Sequence, residues 1–116
     1  MSAGADGWIV ACLCAEWCGS CREYHAAFEA ARAAHPGARF AWVDIEDHPE
    51  VLGSVDVENF PSLLIARGDE IAFFGTVTPH AATLNALVDR AMREELGMVD
   101  NPELDGVPGR IRALAT

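Results

Sequence analysis

Trp8-Ile9-Val10-Ala11-Cys12-Leu13-Cys14-Ala15-Glu16-Trp17-Cys18-Gly19-Ser20-Cys21 carries the reading of this chain. Its first half, Trp8–Cys14, is a compact apolar run with Ile and Val, suited to a strand buried on both faces. Ala15–Gly19 breaks the run, and a helical pattern follows, with Tyr24, Ala27, Phe28, Ala31 and Ala34 at helical spacing and charged residues between them. A C-x-x-C pair, Cys18 and Cys21, therefore falls where a buried strand hands over to a helix. At that place the unpaired amides and the dipole of the first helical turn stabilise a thiolate. A lowered thiol pKa makes Cys18 a nucleophile at neutral pH. Cys21, one turn on, is placed to attack a mixed disulfide on Cys18 and release the product.

Outward from this junction, His35-Pro36-Gly37 ends the helix, because Pro cannot continue it and Gly tolerates the turn. Arg39–Ile45 reads as a second strand, and Asp47–Gly53 as a short helix with Pro49 near its start. Ser62–Ala66 is a third strand, Arg67-Gly68-Asp69 a hairpin turn and Glu70–Gly75 a fourth strand. Thr78-Pro79 has the form of an N-cap followed by Pro at the first helical position. Leu84, Leu87, Val88, Ala91 and Met92 then form an apolar stripe, with Gly97 as the stop. The order β-α-β-(α)-β-β-α predicts an α/β fold in which parallel crossovers come first and an antiparallel hairpin closes the sheet. Three turn signals (Asn101-Pro102, Asp105-Gly106, Pro108-Gly109) lead us to expect residues 98–116 as a tail outside the core, after one domain spanning 1–97.

Composition narrows the function. In 116 residues, 18 Asp plus Glu against 8 Lys plus Arg give a formal charge of −10. Such a surface repels phosphate backbones and anionic membranes, so neither nucleic acid nor a membrane is expected as partner. The longest apolar run, Trp8–Ala15, is too short to span a bilayer. Met1–Gly7 holds no Lys or Arg, which argues against a secretory signal with a basic start and for a cytoplasmic protein. All four cysteines (Cys12, Cys14, Cys18, Cys21) lie within ten residues. A secreted scaffold spreads its cysteines to close long loops, whereas clustering points to redox chemistry or metal binding.

The string Ala15-Glu16-Trp17-Cys18-Gly19-Ser20-Cys21-Arg22 resembles the active site of thioredoxins. Val43-Asp44-Ile45-Glu46-Asp47-His48-Pro49 and Asp56-Val57-Glu58-Asn59-Phe60-Pro61-Ser62-Leu63-Leu64 are similar to later parts of the same family, and the likeness runs in order from Trp8 to Leu96. The resemblance implies a thioredoxin-like fold: a minimal four-stranded mixed sheet with helices on both faces, without the family's N-terminal strand and helix. It implies a protein-disulfide oxidoreductase whose catalytic residues are Cys18 and Cys21. It also implies a cis Phe60–Pro61 peptide facing the cysteines, with Phe60 pairing to an extended substrate and Trp17, Pro61 and Gly75 lining a docking groove. No cofactor and no metal are expected, since the dithiol itself carries the electrons. The partners implied are protein thiols and disulfides, together with a reducing partner such as a thioredoxin reductase or glutathione.

Three departures from the family stand out. The strand Arg39–Ile45 becomes an exposed edge, which invites either a homodimer through 39–45 or capping by Arg110-Ile111-Arg112-Ala113-Leu114. Cys12 and Trp42 occupy the places of the family's buried aspartate and its matching lysine, removing the group that helps deprotonate the second cysteine. Ser20 replaces a proline, which places the couple roughly between −270 and −180 mV by analogy.

Cys12 and Cys14 project to one strand face about 6.6 Å apart along the chain, too far for an easy mutual disulfide. Small buried hydrophobes is the plain reading of the two. The alternatives are accessory thiols, with Cys14 exchanging with Cys18 or Cys21, and a sulfur-ligated metal site. His25, His35, His48 and His80 read as surface, helix-end or cap residues. For the whole chain, the alternative to an oxidoreductase is a redox-inactive binding or chaperone-like module.

Overall fold

A computed structural model describes residues 7–14, 19–51, 62–68, 70–77, 80–99 and 102–115. Four strands make one sheet: β1 (Trp8–Cys14), β2 (Arg39–Asp44), β3 (Ser62–Arg67) and β4 (Glu70–Thr76). Their order is β2-β1-β3-β4. β1 runs parallel to β2 and antiparallel to β3, and β3 runs antiparallel to β4. The mixed sheet with its closing hairpin thus has the expected topology. Gly68, at φ +63°, makes the hairpin turn in a conformation that side chains with a Cβ resist. One residue is inserted on the β4 side where the register shifts between Ile65 and Ala66. In consequence the neighbours Ala72 and Phe73 share one face of the sheet, while Ile71 and Phe74 belong to the other.

Alternation along the strands divides the core into two. On the first face lie Trp8, Val10, Cys12 and Cys14 of β1 with Phe40, Leu63 and Ile65. Helix α1 (Gly19–Ala34) covers them with Cys21, Tyr24, Phe28 and Ala31, and helix α2 (Ala81–Met92) with Leu84, Val88 and Ala91. A side-chain contact also ties the two helices. Nε2 of His35, just past α1, lies 2.7 Å from Asp89 Oδ1, and its Nδ1 lies 3.0 Å from the Ala31 carbonyl. On the second face are Ile9, Ala11, Leu13, Ala41, Val43, Leu64, Ala66 and Ile71, with Val51 packed against them.

What covers this second face corrects the sequence reading of 98–116. A 3-10 turn (Pro102–Leu104) and helix α3 (Val107–Ala115) place Leu104, Val107 and Ile111 fully buried against it. Three apolar residues at intervals of three and four outweigh the turn signals. Pro108 falls in the first turn of the helix, where its missing N–H costs nothing. Gly106, at φ +83°, supplies the left-handed residue before it. Arg110 donates from Nε to the Val51 carbonyl at 2.8 Å. Arg112 donates to the carbonyls of Gly68 at 2.7 Å and Gly7 at 2.8 Å. The segment 110–114 therefore lies over the sheet face as a helix, with Leu114 beside β2. A groove lined by Phe40, Ala41, Trp42, Val43 and Leu114 runs along that edge.

Two further boundaries differ. His80, in extended conformation (φ −119°, ψ 130°), is the N-cap of α2 in place of Thr78, and its side chain makes no capping hydrogen bond. Thr78 and Pro79 lie outside the described residues. The same helix ends at Met92, well before Gly97, because Glu94 turns left-handed at φ 61°. The chain then folds back, and the Val99 amide donates to the Ile71 carbonyl at 2.7 Å. The short helix expected over Asp47–Gly53 is a 3-10 turn, Pro49–Val51.

Candidate functional site

β1 leaves the sheet at Cys14, and α1 begins at Gly19. The described part of the C-x-x-C pair, Cys21, sits in the first turn of α1 and is 2% exposed. Burial of the second cysteine one turn into the helix is the arrangement expected of a resolving thiol, shielded until a mixed disulfide brings an electrophilic sulfur to it. Gly19 is exposed, and among the described residues a Cβ built on it meets the Arg22 guanidinium at 3.9 Å. β3 begins with Ser62 paired to Leu13 and to Thr76. The chain therefore enters β3 at the end of the sheet where β1 leaves it. Gly75 pairs with Leu63 one step along and is partly exposed. Trp17, Cys18, Phe60 and Pro61, expected as site residues, lie outside the described residues.

Beside Cys21 lies a cavity of about 460 Å³ lined by Cys14, Cys21, Arg22, His25, Trp42, Asp44 and Asp47. His25, one turn beyond Cys21 on α1, meets Trp42 edge to face with ring centroids 4.8 Å apart. Asp44 Oδ1 accepts from the Glu46 amide at 2.8 Å, which holds the loop after β2 against the cavity. His25 is exposed, as its surface reading from the sequence has it. Its spacing of four from Cys21 was the signal that the two share a helix face. Cys12 and Trp42, which stand where the family has its aspartate and lysine, are register partners across β1 and β2.

Cys12 and Cys14 are closer than their backbone spacing predicts. Both are buried, and their sulfurs are 3.2 Å apart. The two side chains lean toward each other along the strand, so the separation of about 6.6 Å along the chain does not carry to the thiols. Above them, Tyr24 is fully buried, and among the described residues its phenol oxygen has no hydrogen-bond partner. Burial pushes the Tyr24 phenol well above its ordinary range, and negative charge on Cys12 and then Cys14 pushes it further.

Comparison with known proteins agrees with this geometry. A curated Streptomyces coelicolor protein, "Putative thioredoxin 2", is 31% identical over 93 residues; the match covers 80% of this chain and 63% of that relative's length. Among solved structures, the thioredoxin of Trypanosoma brucei brucei superposes with a TM-score of 0.67 at 22% identity, covering 77% of this chain and 79% of that one. The Fasciola hepatica thioredoxin gives 0.66 at 24% identity, covering 74% and 83%. A sequence model described as Thioredoxin matches residues 3–90, and on that match the chain belongs to the thioredoxin family.

Proposed function

We propose that this chain is a thiol–disulfide oxidoreductase acting on protein substrates, with Cys18 as nucleophile and Cys21 as resolving thiol. The observation that carries the reading is Cys21, buried in the first turn of a helix that follows directly on the central strand of a thioredoxin-family sheet. In the reductive direction, the Cys18 thiolate attacks a substrate disulfide and one substrate sulfur leaves. Cys21 then attacks the Cys18 sulfur, releasing the second substrate thiol and leaving a Cys18–Cys21 disulfide. The reverse sequence oxidises a client dithiol. Trp17, Phe60, Pro61 and Gly75 make the docking groove in this proposal, with Phe60–Pro61 cis. A thioredoxin reductase or glutathione returns the disulfide to the dithiol in a reducing cytoplasm. A homodimer through 39–45 belongs to the same proposal, since β2 is an edge strand with a groove along it; sedimentation analysis tests that part.

The test of the activity is reduction of insulin disulfides under a small dithiol donor. Wild type is expected to accelerate it, Cys18→Ser to fall to background, and Cys21→Ser to accumulate a mixed disulfide visible by intact mass. If wild type gives no acceleration and no Cys18–Cys21 disulfide forms against glutathione, the redox-inactive binding module replaces this reading.

A further inference from the structure

The proposed activity uses two of the four cysteines. The other two are in sulfur contact at 3.2 Å, share a core with Cys21, and lie beneath a phenol whose oxygen finds no partner among the described residues. We propose that Cys12 and Cys14 form a second, buried redox couple that exchanges electrons with the Cys18–Cys21 pair through Cys21. This inference rests on the oxidoreductase reading and deepens it, turning a two-electron carrier into one that holds four.

Three observations carry it. The first is reach. A disulfide needs its sulfurs at about 2.05 Å and its Cα atoms within about 6.8 Å, and alternate residues of an extended strand fall just inside that limit. The thiols already face each other at 3.2 Å, and closure asks in addition that the strand pucker to bring the Cβ atoms within about 4.5 Å. The second is access. Cys14 and Cys21 line the same cavity, so the inner pair opens onto the space beside the resolving thiol. The third is Tyr24. A buried hydroxyl without a partner is uncommon and costly. Here it lies near enough to Cys12 and Cys14 for their charge to bear on its ionisation. The dipole of a neutral phenol whose O–H is free to turn lowers the cost of a thiolate within that range in an otherwise apolar setting.

The exchange balances. A client disulfide first oxidises Cys18 and Cys21. The Cys14 thiolate attacks the Cys21 sulfur, the Cys18–Cys21 bond breaks, and Cys18 leaves as a thiolate that takes up a proton. Cys12, losing its proton, attacks the Cys14 sulfur; the Cys14–Cys21 bond breaks, and Cys21 is protonated in turn. Two electrons and two protons pass from the inner pair to the outer one, which is again ready for a client. β1 is hydrogen-bonded on both sides, by β2 and β3, so it resists the pucker that an i, i+2 bridge requires. The inner disulfide is therefore the more easily reduced of the two: the exchange lies toward the outer disulfide at equilibrium, and the inner pair fills second, drawn on as further oxidant returns Cys18 and Cys21 to their disulfide.

The test is a titration of the full wild-type chain against glutathione buffers of rising oxidised fraction. Samples are quenched in acid, unfolded, alkylated and weighed, then cleaved after Glu16, which separates Cys12 and Cys14 from Cys18 and Cys21. The expected result is a fall from four alkylated thiols to two and then to none, with the fragment bearing Cys12 and Cys14 losing two hydrogens in the second step. The proposal is overturned if that fragment stays doubly alkylated at every ratio, or carries glutathione in place of an internal disulfide, while the other fragment oxidises. Failure of the oxidoreductase reading looks different: there the fragment bearing Cys18 and Cys21 stays doubly alkylated. A Cys12→Ala, Cys14→Ala double variant is expected to keep the first step and lose the second. Cys21→Ala is expected to slow inner disulfide formation at least tenfold, and an unchanged rate overturns the route through Cys21.

Discussion

The two faces of the sheet are built from alternate residues of the same strands and have different chemistry. On the first face β1 contributes Trp8, Val10, Cys12 and Cys14, which meet the aromatic rings of Tyr24, Phe28 and Phe40. On the second it contributes Ile9, Ala11 and Leu13, which meet Val43, Leu64, Leu104, Val107 and Ile111. Sulfur and aromatic side chains are polarizable, and several of them can titrate or exchange. The aliphatic face can do none of this, and its contribution is area removed from water. Both faces contribute stability, but the sulfur chemistry of the strand sits on one of them, so a substitution on the aliphatic face should leave the redox behaviour unchanged.

The largest expected effect tests the aliphatic face. Deleting residues 102–116 uncovers it by removing three fully buried side chains, worth roughly 1.5–3 kcal/mol each, against a total stability of about 5–15 kcal/mol for a domain. The truncated chain is expected to lose its cooperative melting transition by circular dichroism. Retention of a sharp transition would mean that the face tolerates water and that the division argued above is wrong. Ile111→Ala is the graded form: a loss of about 2–5 kcal/mol in denaturant unfolding, with the Cys18–Cys21 potential unchanged.

The opposite face is sensitive to alkali. Tyr24 is the chain's one tyrosine, and its folded-state ionisation is pushed upward by burial, then by charge on Cys12 and Cys14. A group that holds its proton more tightly when folded gives its full contribution below the unfolded value, about 10 for a phenol. Above that pH the unfolded chain ionises first and stability falls, by about 1.4 kcal/mol per pH unit. Tyrosinate absorbance should be absent from the folded protein at alkaline pH and appear on unfolding, and Tyr24→Phe should flatten the fall in stability. The smallest effect is expected of His35→Ala, which removes the contacts to Asp89 and to the Ala31 carbonyl. A loss of about 1–2 kcal/mol is expected, again without a change in redox behaviour.

Much of this arrangement is legible in the chain. Trp8–Cys14 announces a central strand, because an unbroken apolar run is what burial on both faces requires. The hairpin at Gly68 and the apolar stripe of α2 are equally plain. Less legible is α3, since the nine residues of Val107–Ala115 hold a proline and a glycine and would not form a stable helix alone. The sheet face on which Leu104, Val107 and Ile111 land makes it one, and that face is assembled from distant residues. The meeting of the Cys12 and Cys14 sulfurs was also hidden, because a strand's rise fixes the backbone separation while side-chain rotamers decide whether the tips converge. His25 is a milder case: its spacing from Cys21 was visible, but the cavity they share depends on Trp42 and Asp44 arriving from β2.

The bonds from Arg112 to the carbonyls of Gly7 and Gly68 join parts of the chain made far apart in time. During synthesis the four strands emerge before α3, and the interval between β4 and the end of α3 takes roughly 2–8 s at about 5–20 residues per second. For that interval the nascent sheet shows an uncovered aliphatic surface to the ribosome's surroundings. A chaperone that binds such surfaces therefore competes with the chain's own later segment, and the guanidinium of Arg112 closes the contest by latching the helix across the first and middle parts of the polypeptide.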